Sequence, residues 1–315
     1  MSIKVFLFHR VNPHPDPIWP PITPGHFERI VKYLKRNFEV VPLEETLLGN
    51  YKPTKSKKLC AITFDDGYRD FIEYAMPVIN KYKVPTSIYV ITDCVDSCLP
   101  PWTYLFNFFL LNTSITSLEV ESIEIPPSLR KNNWKNLEEK IDLIKQFSPI
   151  LKTISDEGKE DIMQQMQVQI TDVEMPKNLM LNWDEIRLLK NEGVEIGSHS
   201  GKHPALSKDF HLDSVRHELE RSGKEIKAAI GKFPIAISYP FGIYNSQVKK
   251  IAKEVGYKMG LTVLPKPYTL NDDHFEIPRI ELYSEPFYKT RFRMNGQLQV
   301  LKNVFSLERS IHPNR

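Results

Sequence analysis

An apolar run at residues 59–64 closes on Asp65-Asp66-Gly67-Tyr68, and that ending constrains the local fold more than any other stretch of the chain. An apolar run that stops at glycine reads as a buried strand entering a sharp turn. Successive strand side chains point to opposite faces, so Asp65 and Asp66 are expected to do different jobs. A carboxylate at a buried strand end needs a cation or hydrogen bonds to offset its desolvation. Two readings follow from these residues alone: an Asx-type turn with Gly67 at positive φ, or a metal site where one acid ligates and its neighbour handles protons.

The same strand-into-turn pattern recurs along the chain. Strands are predicted at residues 5–8, 38–42, 86–91, 194–198, 235–239 and 259–263, with helical patterns at 26–36, 43–48, 68–82, 183–191, 212–230 and 246–254 between them. This alternation predicts an α/β fold on a parallel sheet or barrel, in which sites lie at the carboxyl ends of strands. From about residue 98 to 178 the rhythm gives way to long helical patterns (102–111, 134–147, 156–170) with one strand signal at 118–125, which marks a helical cap insertion.

A chain of 315 residues with 41% hydrophobic content can bury a sizeable core, and a net charge of +3 is too mild to argue for nucleic acid. No stretch approaches the roughly 18 apolar residues of a membrane span. The short run after Met1 is no signal-peptide core, so the expected location is the cytoplasm. Lys289, Arg291, Arg293 and Lys302 leave room for peripheral contact with a membrane surface, although a solvated face is the first expectation. Cys60, Cys94 and Cys98 have no disulfide-framework spacing and are expected to be free thiols. Oligomeric state is not fixed by any of these features.

A second constellation, His199-Ser200-Gly201-Lys202-His203, also follows a predicted strand. Two imidazoles four residues apart can converge on one divalent ion, though two exposed loop histidines are the commoner case. With the acid pair they would make a two-histidine, one-aspartate site with open coordination positions, the pattern of catalytic rather than structural metals.

Thr63-Phe64-Asp65-Asp66-Gly67-Tyr68 and His199-Ser200-Gly201-Lys202-His203 resemble the first two motifs of the polysaccharide deacetylases, the NodB-homology group of carbohydrate esterase family four. Ser238-Tyr239-Pro240-Phe241-Gly242 stands where that family has Arg-Pro-Pro-Tyr-Gly. The resemblance covers residues 1–96 and about 182–283. It implies a distorted (β/α)7-type barrel, with residues 1–315 forming one catalytic domain interrupted by the cap. It further implies that Asp66, His199 and His203 bind a divalent metal, with zinc the expected ion, and that Asp65 is the general base. The Phe241 N–H would help hold a tetrahedral oxyanion, and Tyr68 and Tyr239 of the same motifs would meet substrate.

Two departures from the family pattern matter. Ser238 replaces the arginine that normally neighbours the base, and Arg279, in Glu276-Ile277-Pro278-Arg279-Ile280, is the expected substitute. Its alternative is a surface arginine beside a strand. No leucine-x-histidine motif near the carboxyl end supplies a general acid, and His312 lies in a polar tail. His9 ends the first strand instead, which resembles the circularly permuted members whose last barrel strand has moved to the front. It is therefore expected to protonate the departing amine, the alternative being a satisfied loop histidine.

The implied reaction is metal-dependent hydrolysis of an N-acetyl group on an N-acetylhexosamine. The substrate would be a glycan, or a lipid- or nucleotide-linked precursor, in surface polysaccharide metabolism. A deep closed pocket would instead favour a non-sugar amide or an O-acetyl ester. A base too far from the metal would favour a non-catalytic glycan-binding relative. Trp102, Tyr104, Phe106, Phe108 and Phe109 open the insertion; stacking on a sugar is conceivable, but a helical core face is the expectation.

Overall fold

The structure is a computed structural model that describes residues 1–54, 57–206 and 211–297. Lys302 and His312 lie outside the described residues. The chain opens with β1 (Ser2–Phe8), crosses a proline-rich loop and enters α1 (Pro24–Asn37). That helix starts where Thr23 accepts the His26 N–H and proline supplies the first turn. There follow β2 (Phe38–Val40), α2 (Leu43–Leu47), β3 (Lys58–Phe64), a π-helical turn at Phe71–Ala75 running into α3 (Met76–Tyr82), β4 (Ser87–Val90) and α4 (Thr92–Ser97).

The insertion holds α5 (Trp102–Asn112), the hairpin-like pair β5 (Ser117–Glu119) and β6 (Lys131–Asn133), then α6 (Leu137–Leu151) and α7 (Asp156–Gln169). Alternation then resumes with α8 (Trp183–Asn191), β7 (Glu195–Ser198), α9 (Leu212–Ile230), β8 (Ala236–Ser238), α10 (Ser246–Val255), β9 (Met259–Val263), β10 (Tyr268–Thr269), β11 (Ile277–Glu281) and α11 (Phe287–Asn295). Among the described residues no helix is long and apolar enough to cross a membrane.

Seven strands close into a parallel barrel in the order β1-β11-β9-β8-β7-β4-β3 and back to β1. The first strand makes the closure: Val5 lies opposite Ala61 on one side and Arg279 on the other. β2 extends β3 outside the ring, and β10 pairs antiparallel with β1. Barrel strands are covered on both sides, so β3 and the second half of β1 read as near-continuous apolar runs rather than alternating ones. Ile3, Val5, Leu59, Ala61, Leu261 and Ile277 pack with Tyr89 inside the barrel. Phe6, Phe8, Ile62 and Phe64 pack outward against Phe27, Ile30 and Ile79 of the surrounding helices.

The insertion has its own core, built from Phe106, Phe109, Leu118, Leu143, Phe147 and Met166. The strand expected at 118–125 shortens to Ser117–Glu119, because its partner is the three-residue β6. The helix expected from 134 begins at Leu137, where Asn136 accepts the Glu139 N–H. Cys60, Cys94 and Cys98 are free.

Glu195 ties the amino end of the barrel together. Its carboxylate accepts the N–H groups of Leu43, Glu44 and Glu45 at 3.0–3.1 Å and so caps α2. Glu44 beside it is buried, with one carboxyl oxygen lacking a partner among the described residues. Burial, then the neighbouring Glu195, push the Glu44 carboxyl well above its usual range. The folded chain thus keeps a proton there that the unfolded chain releases. Stability from this group is full below the ordinary glutamate value of about 4.3 and falls as pH rises beyond it. Glu44→Gln is expected to melt higher than wild type at pH 8 and to flatten the loss of Tm between pH 5 and 8. An unchanged slope in scanning calorimetry would contradict this.

Candidate active site

The carboxyl ends of β1, β3, β7, β8 and β11 meet beneath the insertion at a cavity of about 400 Å³. The turns there are conformationally forced. Asp66, Ser200, His203 and Phe241 all hold left-handed φ values between 58 and 72°, a region that non-glycine residues enter only when their surroundings impose it.

Asp65 continues β3, its N–H bonded to the Phe8 carbonyl at 3.0 Å, and its side chain enters the barrel. The left-handed turn at Asp66 swings that second carboxylate toward the histidine loop. His199 is held by its N–H to the Val90 carbonyl at 2.8 Å. Its Nδ1 lies 2.8 Å from the Ser238 carbonyl, which assigns the ring proton to Nδ1 and leaves the Nε2 lone pair inward. His199 Nε2 then faces His203 Nε2 at 3.1 Å and Asp66 Oδ1 at 3.4 Å, with His203 Nε2 to Asp66 Oδ1 at 3.7 Å.

Asp66, His199 and His203 are all buried and their donor atoms lie within 4.8 Å of one another. Burial, then His199, push His203 down to about 3, so it is a neutral imidazole able to ligate. Burial opposes a proton on His199, yet the Asp65 and Asp66 carboxylates raise its affinity for one. That pull toward positive charge, with two inward imidazole lone pairs and one carboxylate oxygen, fits a divalent cation. The residues present therefore suit a metal.

Asp65 meets Arg279 instead. Arg279 Nη1 and Nη2 donate to Asp65 Oδ1 and Oδ2, both at 2.7 Å. Nη2 also reaches Ser238 Oγ at 2.8 Å, and that hydroxyl donates to Asp65 Oδ2 at 2.9 Å. Arg279 is 0% exposed, which overturns the surface-arginine alternative. Burial alone would raise the Asp65 carboxyl, but Arg279 and then His199 outweigh it and hold the group well below the usual carboxylate range. Ser238 is what fits between them in place of the expected motif arginine.

His9 ends β1 at the cavity, with Nδ1 3.6 Å from Glu281 Oε1 and its ring edge-on to Trp19 at 4.8 Å. Tyr68 lines the cavity with its phenol oxygen buried and unpartnered among the described residues. The Arg10 guanidinium, paired with Asp70 at 2.8 Å, lies 4.7 Å over the Tyr68 ring. The Phe241 ring stands 4.5 Å from the His203 ring.

Tyr239 corrects the expectation that it meets substrate. It follows Ser238 on β8 and so takes the opposite face. Its ring stacks on Tyr244 at 4.8 Å and its hydroxyl donates to the Phe275 carbonyl at 3.2 Å, away from the cavity. A Cβ at Gly260 would overlap that hydroxyl. The aromatic cluster of the insertion is split as well: Phe109 is in the cap core, whereas Trp102 and Tyr104 line the cavity. Trp19, Glu281, Arg10 and Asp70 were missed from sequence. Arg10 and Asp70 lie next to or within four residues of assigned residues, but only the fold pairs them.

The polysaccharide deacetylase family profile matches residues 52–260. The chain is similar to the poly-β-1,6-N-acetyl-D-glucosamine N-deacetylase of Staphylococcus aureus, 22% identical over 276 residues that make up 87% of this chain and 72% of that protein. Among solved structures it is similar to a de-N-acetylase from Aggregatibacter actinomycetemcomitans, at TM-score 0.62 and 16% identity over 93% of this chain and 100% of that one. It is also similar to the Streptococcus pyogenes deacetylase PplD in complex with acetate, at TM-score 0.59 and 17% identity over 90% and 94% of the two chains. At these identities the structural likeness speaks for the barrel.

Proposed function

The chain belongs to the polysaccharide deacetylase family, and from that premise we propose that it is a metal-dependent carbohydrate N-deacetylase acting on an N-acetylhexosamine unit of a glycan or glycan precursor. One observation carries the reading: the Asp66, His199 and His203 donors converge in the same cavity as a carboxylate locked by Arg279. The S. aureus relative, named for a poly-N-acetylglucosamine, supports a hexosamine as the unit.

Asp66, His199 and His203 would hold the ion, with zinc the proposed one, since two imidazoles and one carboxylate are a ligand set of catalytic zinc. When bound, such an ion polarises a carbonyl and brings the pKa of water toward about 7, which lets a weak carboxylate base suffice. Asp65 is that base: ionised at any working pH and fixed in direction by two Arg279 N–H groups, it takes the proton of the attacking water. The 3₁₀ turn at Pro240–Gly242 uses the N–H groups of Gly242 and Ile243 for its own bonds. The Phe241 N–H is left to steady the developing oxyanion. His9 gives its proton to the departing amine, with Glu281 orienting the ring. β1 lies between β11 and β3, which supports reading it as the displaced last strand of a permuted barrel. Residues 1–315 act as one catalytic unit, with 98–178 as its cap.

Acetate release from a panel of N-acetylhexosamine substrates, with and without chelator, tests this. Chelation is expected to abolish release and added zinc to restore it; chelator-insensitive turnover would sink the metal reading.

A further inference from the structure

The cap contributes a polar wall to the cavity that the chemistry above leaves unused. Asn107 of α5, and Ser148 and Lys152 at the end of α6, all line it. Ser148 and Lys152 are four residues apart and so share a helix face. None of the three side chains has a hydrogen-bond or carboxylate partner among the described residues. The Lys152 ammonium lies 4.9 Å over the Phe241 ring, on which His203 also packs at 4.5 Å. Elsewhere in the cap, Lys145 and Lys159 pair with carboxylates three residues away, and Lys140, which lies over the Trp134 ring, donates to the Thr113 carbonyl.

The carboxylates that line the cavity are already answered. Asp65 has Arg279, and Asp66 faces the two histidines. Glu281 has His9 and the Tyr283 hydroxyl, while Asp16 accepts the N–H groups of Ile18 and Trp19. Lys152 is thus the one cavity-lining cation without a carboxylate among the described residues. Attraction to the carbonyls at the end of α6 would account for a lysine there. It would not account for the ammonium lying over Phe241, with an amide and a hydroxyl unpaired on the same wall.

We propose that Asn107, Ser148 and Lys152 bind a phosphate carried at the anomeric position of the substrate. This rests on the deacetylase reading and narrows it to phosphate-linked N-acetylhexosamines, as nucleotide-linked and lipid-linked donors both are. In a 2-acetamido sugar the amide and the anomeric oxygen sit on adjacent ring carbons. A group on that oxygen therefore lies close to the reacting carbonyl, and here Lys152 and His203 both lie within 5 Å of the one Phe241 ring. A lysine reaches a phosphate as a compact charge and needs no bidentate geometry.

The test compares zinc-loaded wild type, Lys152→Ala and Lys152→Arg on N-acetylglucosamine 1-phosphate and on its neutral methyl glycoside. Wild type is expected to prefer the phosphate by about tenfold in kcat/KM. Lys152→Ala should lose that preference through a raised KM, and Lys152→Arg should keep most of it. Isothermal titration with N-acetylglucosamine 1-phosphate should show binding about tenfold weaker in Lys152→Ala, with Tm confirming that the variant folds. Uridine-diphosphate-linked and short-prenyl-diphosphate-linked N-acetylglucosamine then separate a nucleotide from a lipid source. Acetate release with a preference unchanged by Lys152→Ala overturns the phosphate site alone. Lysine-dependent binding without acetate release from any probe overturns the deacetylase reading and leaves the phosphate site standing.

Discussion

Arg279→Met is expected to destabilise the fold by about 3–5 kcal/mol, because it strands a buried carboxylate without its counter-charge. Asp65 is 2% exposed, and the Ser238 hydroxyl would be its remaining side-chain hydrogen-bond donor. For a chain of this size the fall in Tm is of order 10 °C, readable by calorimetry. Arg279→Lys keeps the charge but cannot present two parallel N–H groups, so a partial loss is expected. The Asp65→Asn/Arg279→Met double variant should recover part of the deficit, since the stranded charge is gone. The pH signature has a definite sign. In wild type the carboxyl is held below its usual range, so its stabilisation is present above about 3.9 and is lost only as pH falls into stronger acid. In Arg279→Met burial dominates and favours the protonated form, so the deficit should shrink on acidification from pH 7 to 5. A variant that melts like wild type would show that the pair is not what holds Asp65.

Parity along the strands made much of this site legible. His9, Asp65 and His199 each fall just beyond the end of a strand, and Arg279 falls within β11, in step with inward positions that include Ile3 and Val5, Leu59 and Ala61, Gly197, or Ile277. Once strands alternate with helices, the polar residue at such a position faces a shared cavity. The same counting would have placed Tyr239 outside, one step beyond inward-facing Ser238; the motif's place in the chain overrode it. The partner of Arg279 could not be read off, because Asp65 is 214 residues away and their meeting depends on β1 closing the barrel between them. The cap was less legible still. Its helices advertise a core through apolar spacing, and Phe106, Phe109 and Phe147 meet that description. Which residues overhang the site depends on how α5 and α6 lie across the barrel mouth, so nothing in the sequence separated Trp102 and Tyr104 from the core aromatics beside them, and Lys152 carried no signal of its own.

Asp65→Asn and Asp66→Asn, one residue apart, are expected to fail in different ways. Asp65→Asn removes the proton acceptor while leaving the Asp66, His199 and His203 donors in place. Its kcat on N-acetylglucosamine substrates should fall by about 10²–10⁴, the range for a lost general base, with KM and zinc stoichiometry little changed. Asn can still accept from Arg279 through one oxygen, so the residual activity belongs to a folded protein with a lower Tm, and kcat must be taken per folded molecule. Asp66→Asn removes the anionic donor from a site whose other two members are neutral imidazoles. Zinc affinity should fall by at least tenfold, and activity should return in part as zinc is raised. Zinc should restore nothing in Asp65→Asn, since no added ion replaces a base. If the responses were exchanged, with Asp65→Asn losing zinc and Asp66→Asn losing only turnover, the roles of the two acids would be reversed. The left-handed turn at Asp66, φ 72°, argues against that outcome, because it swings one carboxylate to the histidines and leaves the other with Arg279.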